Sequence, residues 1–336
     1  MFLNQWSIAL NLVNVLTLLL VFLAVRTAVR VLLFWDVSSD RNLQIQLENE
    51  TWLASTLVEY ASGFQIISLV LFALAADGFS EVVIGAMCAT GALTANSYGL
   101  PTLYLKLFAV FLYGFWIVLH HIDISSEQYP LLKAKYVYLV ILIPVLIADI
   151  ALQNLYIAGL KPDIITSCCA VVFGEGSSSD MNLIGVLAGE KMMLPVFYGL
   201  SIMLAGMSLA LVKKWSVGLS WICAFSWGLY FILSLIVVTT IFSSYIYAMP
   251  NHRCPFCVLK PEYDYIGFLI FGALISSVFF GATQGLVNMY SNKKAVKEAV
   301  RKYQLFAVKI SIGLMAAFVL ISSYHFVMYR LTGGEM

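Results

Sequence analysis

Eight stretches of about twenty consecutive apolar residues set what this chain can fold into, because about twenty such residues are needed to carry a helix across a bilayer. They fall at 5–25, 57–76, 101–120, 136–158, 190–212, 216–248, 264–290 and 304–328. The backbone of each must satisfy its own hydrogen bonds in hydrocarbon, which leaves helices or a closed barrel. The lengths match helices. Composition agrees: 61% of residues are hydrophobic and 11% charged, against about 25% charged in soluble domains. The expected fold is therefore all-α, a polytopic integral membrane helix bundle of about eight transmembrane helices, with 1–336 forming a single transmembrane domain. A ninth stretch, 81–97 (EVVIGAMCATGALTANS), is short and rich in small and polar residues. It is either a ninth span or a re-entrant or interfacial segment covered by protein.

Lys and Arg set the orientation. The densest basic run, NKKAVKEAVRK in the 291–303 loop, is assigned to the cytoplasm, and Lys133, Lys135, Lys213 and Lys214 then fall on the same side. With eight spans, Arg26, Arg30 and Arg41 also lie inside and both termini outside; a ninth span would put these arginines outside. The polar stretch 36–56 reads as a short amphipathic or irregular cytoplasmic connector. The expected location is a bacterial inner membrane, and the first partner is the lipid bilayer itself. A net charge of +1 gives no basis for binding nucleic acid.

The chemistry rests on six cysteines. Cys223 lies inside a span, where cysteine usually serves as a small buried hydrophobe. The other five fall on the outer side in the eight-span arrangement, where disulfides persist. Cys88 is in the 81–97 segment, Cys168 and Cys169 in the outer loop 161–189, and Cys254 and Cys257 in the outer loop 249–263, in the sequence NHRCPFCVLK. Three readings follow. In thiol–disulfide exchange, Cys254 is the attacking thiol, its pKa lowered by His252 and Arg253, and Cys257 resolves the mixed disulfide. In soft-metal binding, Cys168, Cys169, Cys254 and Cys257 supply thiolates to copper, zinc or mercury. In the third, the protein is a non-catalytic membrane subunit whose disulfides brace outer loops. Asp149, near the middle of its span, is a candidate functional carboxylate by its position alone, with a hydrogen bond to Gln153, Asn154 or a neighbouring helix as the plainer alternative. Lys106 and Lys309, nearer helix ends, are expected to snorkel. No nucleotide-binding or zinc-protease motif occurs.

The CPFC pair before a membrane helix, with a further cysteine pair in another outer loop, resembles the arrangement in the vitamin K epoxide reductase family and in bacterial disulfide-generating membrane proteins. The resemblance is confined to these residues. It implies an embedded pair, Cys254 and Cys257, exchanging electrons with a quinone. Cys168 and Cys169 would shuttle them to a thioredoxin-like extracytoplasmic partner. The leading expectation is accordingly a membrane thiol–disulfide oxidoreductase with Cys254, Cys257, Cys168 and Cys169 as catalytic residues, supported by His252, Arg253, Asp149 and Cys88. The orientation is checked by cysteine-accessibility labelling in intact cells. A probe cysteine at Ser178 should be labelled by a membrane-impermeant reagent and one at Ser38 should not; labelling of Ser38 from outside would mean that 81–97 crosses and the spans number nine.

Overall fold

The computed structural model describes residues 1–35, 42–86, 88–126, 129–161, 190–249, 252 and 254–332. It is 86% helical with no strand among the described residues, and eight of its helices are long and apolar enough to cross a membrane. The protein is thus a polytopic helical membrane protein. The 81–97 segment is not among the eight. It forms turns and one short helix, Ala89–Thr94, far too short to span.

The described residues divide into two compact units. The first is built on α1 (Gln5–Phe34), α2 (Asn42–Ser80), α4 (Gly99–Ile124) and α5 (Leu132–Gly159), with α3 being the short helix Ala89–Thr94. Helix α1 packs on α2 and α5, and α4 packs on the same two, so the four spans close into a ring. Small residues allow the approach of α1 to α2: Ala24 and Ala28 face Leu47, Ala54 and Val58 in one buried cluster. Helix–helix hydrogen bonds complete the ring: Tyr138 donates to the Leu112 carbonyl at 3.2 Å, and Ser55 meets the Tyr136 hydroxyl at 3.2 Å. The outward side of α1 carries Leu12, Leu19 and Phe22, exposed apolar side chains suited to lipid.

Residues 42–56 are part of α2, which runs for 39 residues and is therefore about 58 Å long at 1.5 Å per residue. The connector reading of 36–56 is corrected over this part. Arg30 on α1 and Glu50 on α2 form an ion pair at 2.5 Å, which extends the packing of the two helices beyond the apolar run. Snorkelling is also corrected for Lys106. It is buried, 3% exposed, and its ammonium donates to Asp149 Oδ2 at 2.9 Å and to Ser68 Oγ at 3.0 Å. The partner of Asp149 is thus a cation on the neighbouring span rather than Gln153 or Asn154. A second buried pair joins Lys135 to Asp123 at 3.0 Å, so one of the lysines counted for orientation has its charge neutralised inside the protein.

The second unit is built on α6 (Glu190–Lys213), α7 (Val217–Val237), α9 (Ile266–Leu286) and the main part of α10 (Lys297–Leu331). Helix α7 lies against both α6 and α9. Glycines set the α7–α9 distance: a Cβ at Gly285 would stand 2.5 Å from the Ala224 Cβ, and one at Gly281 2.3 Å from the Trp227 ring. Gln284 fixes the register, accepting from Ser220 Oγ at 2.6 Å and donating to the Ser220 carbonyl at 3.2 Å. On the other side, Tyr198 of α6 donates to Ser323 of α10 at 2.8 Å.

The α7 span does not end at Val237. It passes into a π-helical turn, Val238–Phe242, and then a last α-helical turn, α8 (Ser243–Ile246). A π turn lets a helix accommodate one extra residue. Hydroxyls bond back to carbonyls on either side of it: Thr239 to Leu235 and Thr240 to Ile236, both at 2.8 Å, and Ser243 to Thr239 at 2.7 Å. Such local bonds satisfy carbonyls in a medium that offers no water.

The Lys106–Asp149 pair generates a stability prediction. Asp149→Leu leaves an uncompensated buried ammonium and should cost about 3–5 kcal/mol. Lys106→Met combined with Asp149→Leu removes both charges and should recover most of that loss. Thermal unfolding of the detergent-purified single and double variants measures the difference; equal loss in both would show that the pair carries no coupling.

Candidate functional site

Two separate parts of the second unit bring sulfur together. Residues 85–91 follow α2 in the chain, and residues 252–263 follow α8; four of the eight spans lie between them. An even number of crossings returns the chain to the same membrane face, so Cys88 and the Cys254–Cys257 motif share one face. In the structure they meet. The Sγ atoms of Cys88, Cys254 and Cys257 all lie within 4.8 Å of one another, and that of Cys88 is 3.4 Å from that of Cys254. No disulfide joins them. All three are withdrawn from solvent: Cys254 is 0% exposed, Cys88 2% and Cys257 7%. The Thr90 hydroxyl stands 3.3 Å from Cys254 Sγ.

The local sequence explains how these groups are held. Pro255 follows Cys254, and Cys257 opens a short 3₁₀ turn, Cys257–Leu259. The amide of Lys260 closes that turn on the Cys257 carbonyl at 3.0 Å. A second 3₁₀ turn, Pro261–Tyr263, starts on a proline and leads into Asp264 and Tyr265, both at positive φ. The reversal sets the first turn against the start of α9, where Gly267 makes room: a Cβ there would lie 2.6 Å from a Val258 methyl and 2.9 Å from the Val258 carbonyl carbon. At the other end, the Tyr247 hydroxyl donates to the Cys254 carbonyl, and the Tyr247 ring packs edge-on against His252 and Tyr263, each at 4.7 Å.

Electrostatics favour the protonated thiol at Cys257. Hydrogen bonding to Cys254 and Cys88, together with burial, pushes the Cys257 thiol well above its ordinary value. Burial, then the charges that Cys254 and Cys257 would carry, push the Tyr247 phenol up as well. A cation held among the sulfurs would favour thiolates instead.

The predicted site is therefore brought together in part. Cys254 and Cys257 are adjacent as expected. Cys88, given only a supporting role by the sequence, is a full member of the cluster. Cys168, Cys169 and Arg253 lie outside the described residues. His252 contacts the aromatic ring of Tyr247. Asp149 belongs to the first unit and is no part of the cysteine cluster. Cys223, as expected, is a buried packing residue, its sulfur 3.6 Å from Ser208 Oγ. The parity of the spans is the signal that pointed to Cys88. The chain matches no known family model, no curated protein and no solved structure.

Burial of the thiols is directly measurable. In native protein, maleimide alkylation of Cys254 should be slow, and Gly267→Val, which displaces the 3₁₀ turn, should accelerate labelling of Cys254 and Cys257 by about tenfold or more, equivalent to about 1.4 kcal/mol of lost closure. Mass spectrometry of timed alkylation distinguishes the sites; equal rates in both proteins would contradict the packing.

Proposed function

We propose that this chain is an integral membrane protein that binds a soft, thiophilic metal ion through Cys88, Cys254 and Cys257. The observation that carries this reading is the convergence of three buried thiols with no two of them bonded. Sulfurs bound to one ion at about 2.3 Å stand roughly 4 Å apart, and the observed separations, from 3.4 Å to within 4.8 Å, bracket that value. An all-sulfur donor set suits monovalent copper or zinc better than hard cations. Burial supports the same reading. A thiol that must attack a soluble partner needs an approach, which Cys254 at 0% exposure does not offer, whereas a metal ligand is served by exclusion of water. Cys168 and Cys169 lie outside the described residues.

Thiol–disulfide exchange remains as the second reading, favoured by one observation: Cys88 Sγ lies 3.4 Å from Cys254 Sγ, close enough for exchange between them. On this reading the thiolate of Cys88 attacks the Cys254 sulfur of a Cys254–Cys257 disulfide. The Cys88–Cys254 bond forms as the Cys257 thiolate leaves, which moves the disulfide within the cluster with no net change in oxidation state; a quinone of the kind the family resemblance implies would be the oxidant that first makes a disulfide, taking two electrons and two protons from a pair of these thiols.

Protein purified under reducing conditions separates the two. Near-stoichiometric copper or zinc should co-purify and be lost from Cys88→Ser, Cys254→Ser and Cys257→Ser, with X-ray absorption giving only sulfur neighbours near about 2.3 Å. Metal-free protein that acquires a disulfide between two of these three cysteines on mild oxidation would overturn the metal centre in favour of exchange.

A further inference from the structure

We propose that the first unit carries a path for protons through the interior of its four-helix ring, with Lys106 and Asp149 as its exchanging pair. The inference rests on residues of that unit alone and is independent of the cysteine cluster.

A polar seam runs along the inside of the ring. On α4, Lys106, Tyr113 and His120 recur at seven-residue intervals, which puts them on one face about 10 Å apart; all three are buried. Opposite them, α5 contributes Lys135 at one end and Asp149 and Gln153 toward the other, also buried. Helix α2 adds Ser62, Gln65 and Ser68, and α1 adds Asn14 and Thr17, none of which is charged. At one end the seam reaches the surface. Lys135 Nζ lies 3.0 Å from Asp123 and 3.2 Å from His120 Nδ1. The His120 ring in turn lies 3.7 Å from Glu59, which also pairs with the exposed His121 at 3.1 Å. Midway, a cavity of about 10 Å³ has a mainly apolar wall, to which Thr17, Ser62, Gln65 and Tyr113 contribute the polar side chains. That is close to the space one water requires.

Structural roles do not account for this arrangement. Asp149 Oδ1, both amide atoms of Gln153, the Tyr113 hydroxyl and Thr17 Oγ1 make no hydrogen bond among the described residues. Each such buried group is destabilising when it lacks a partner, and an apolar pair would fill the same space at no greater cost than an ion pair. Ionisable residues kept inside a membrane protein mark ion and proton paths. Lys106 is the charged group facing Asp149, from α4, and Tyr113 is the other titratable group within its electrostatic reach. Helices α1 and α2 present only neutral side chains there.

The transfer balances in protons alone. A proton arriving at Asp149 Oδ1 neutralises the carboxylate and removes the counter-charge of Lys106. Lys106 then releases one of its protons toward Tyr113, the cavity and the His120–Glu59 end. Transfer of the carboxyl proton to the Lys106 amine across the 2.9 Å contact restores the ion pair. One proton enters, one leaves, and only O–H and N–H bonds are exchanged.

The test uses the full-length protein in phospholipid vesicles containing a pH-sensitive dye, with a potassium diffusion potential to drive proton entry. It is run on metal-stripped protein and on protein loaded with copper or zinc. In at least one state, flux should exceed that of empty vesicles and fall by about a hundredfold in Asp149→Asn, as loss of a positioned proton-transfer group does. Asp149→Glu should retain it, which a merely structural hydrogen bond would not require, since Asn can supply that bond. Tyr113→Phe removes one hydroxyl without touching the ion pair and should slow flux by about tenfold, so the test survives an Asn variant that fails to fold. Flux no greater than that of empty vesicles in either state would overturn the proposal. So would wild-type flux in a folded Asp149→Asn or Tyr113→Phe protein.

Discussion

Hydrocarbon offers a peptide group or a charged side chain no water, so each must find its partner within the protein. That constraint shapes nearly every feature described above. It makes the spans helical, and it draws the hydroxyls of Thr239, Thr240 and Ser243 back onto helix carbonyls around the π turn. It also makes the Lys106–Asp149 contact decisive for the first unit. An ammonium buried on α4 is tolerable because α5 supplies a carboxylate within its reach. The remaining packing of the ring, small residues between α1 and α2 and hydrogen bonds between α4 and α5, holds those two charges at contact distance.

The two chemically suggestive places in this chain obey the constraint differently. In the first unit, charges are paired with charges. In the second, three sulfur atoms are collected where water is excluded. A site of the first kind is suited to moving protons while keeping its side chains in place. A site of the second kind suits capture of a soft ion, whose positive charge balances thiolates that burial otherwise disfavours.

Much of the fold was legible in the sequence because the membrane signal is local: twenty apolar residues declare a span whatever their neighbours do. The 81–97 segment stayed open as a span or a re-entrant piece, because its Gly, Ala, Ser, Thr and Asn content weakens the signal without removing it; the Lys and Arg distribution favoured eight spans. The pairings were harder to read. Lys106 looked like a snorkelling residue because its helix end is near. Yet Lys106 and Asp149 lie about 10 Å and 15 Å inside the same end of the α4–α5 hairpin, and matched depth was the available sign. The helical start of α2 at Asn42 was hidden because its polar residues lack the apolar run by which spans are found. Cys88 was seen but undervalued, because nothing in its own neighbourhood resembles CPFC. Its role arises from where the chain returns after four crossings, which is a property of topology rather than of motif.

The π turn at Val238–Phe242 sets the direction in which the chain leaves the membrane. A single residue inserted into an α-helix rotates everything beyond it by about 100°. Tyr247, which clasps the Cys254 carbonyl, stands just past that point. The angular position of the Cys-Pro-Phe-Cys loop around its helix axis is therefore encoded by one residue of register inside the bilayer. Without that residue the same two cysteines would face a different side of the helix axis.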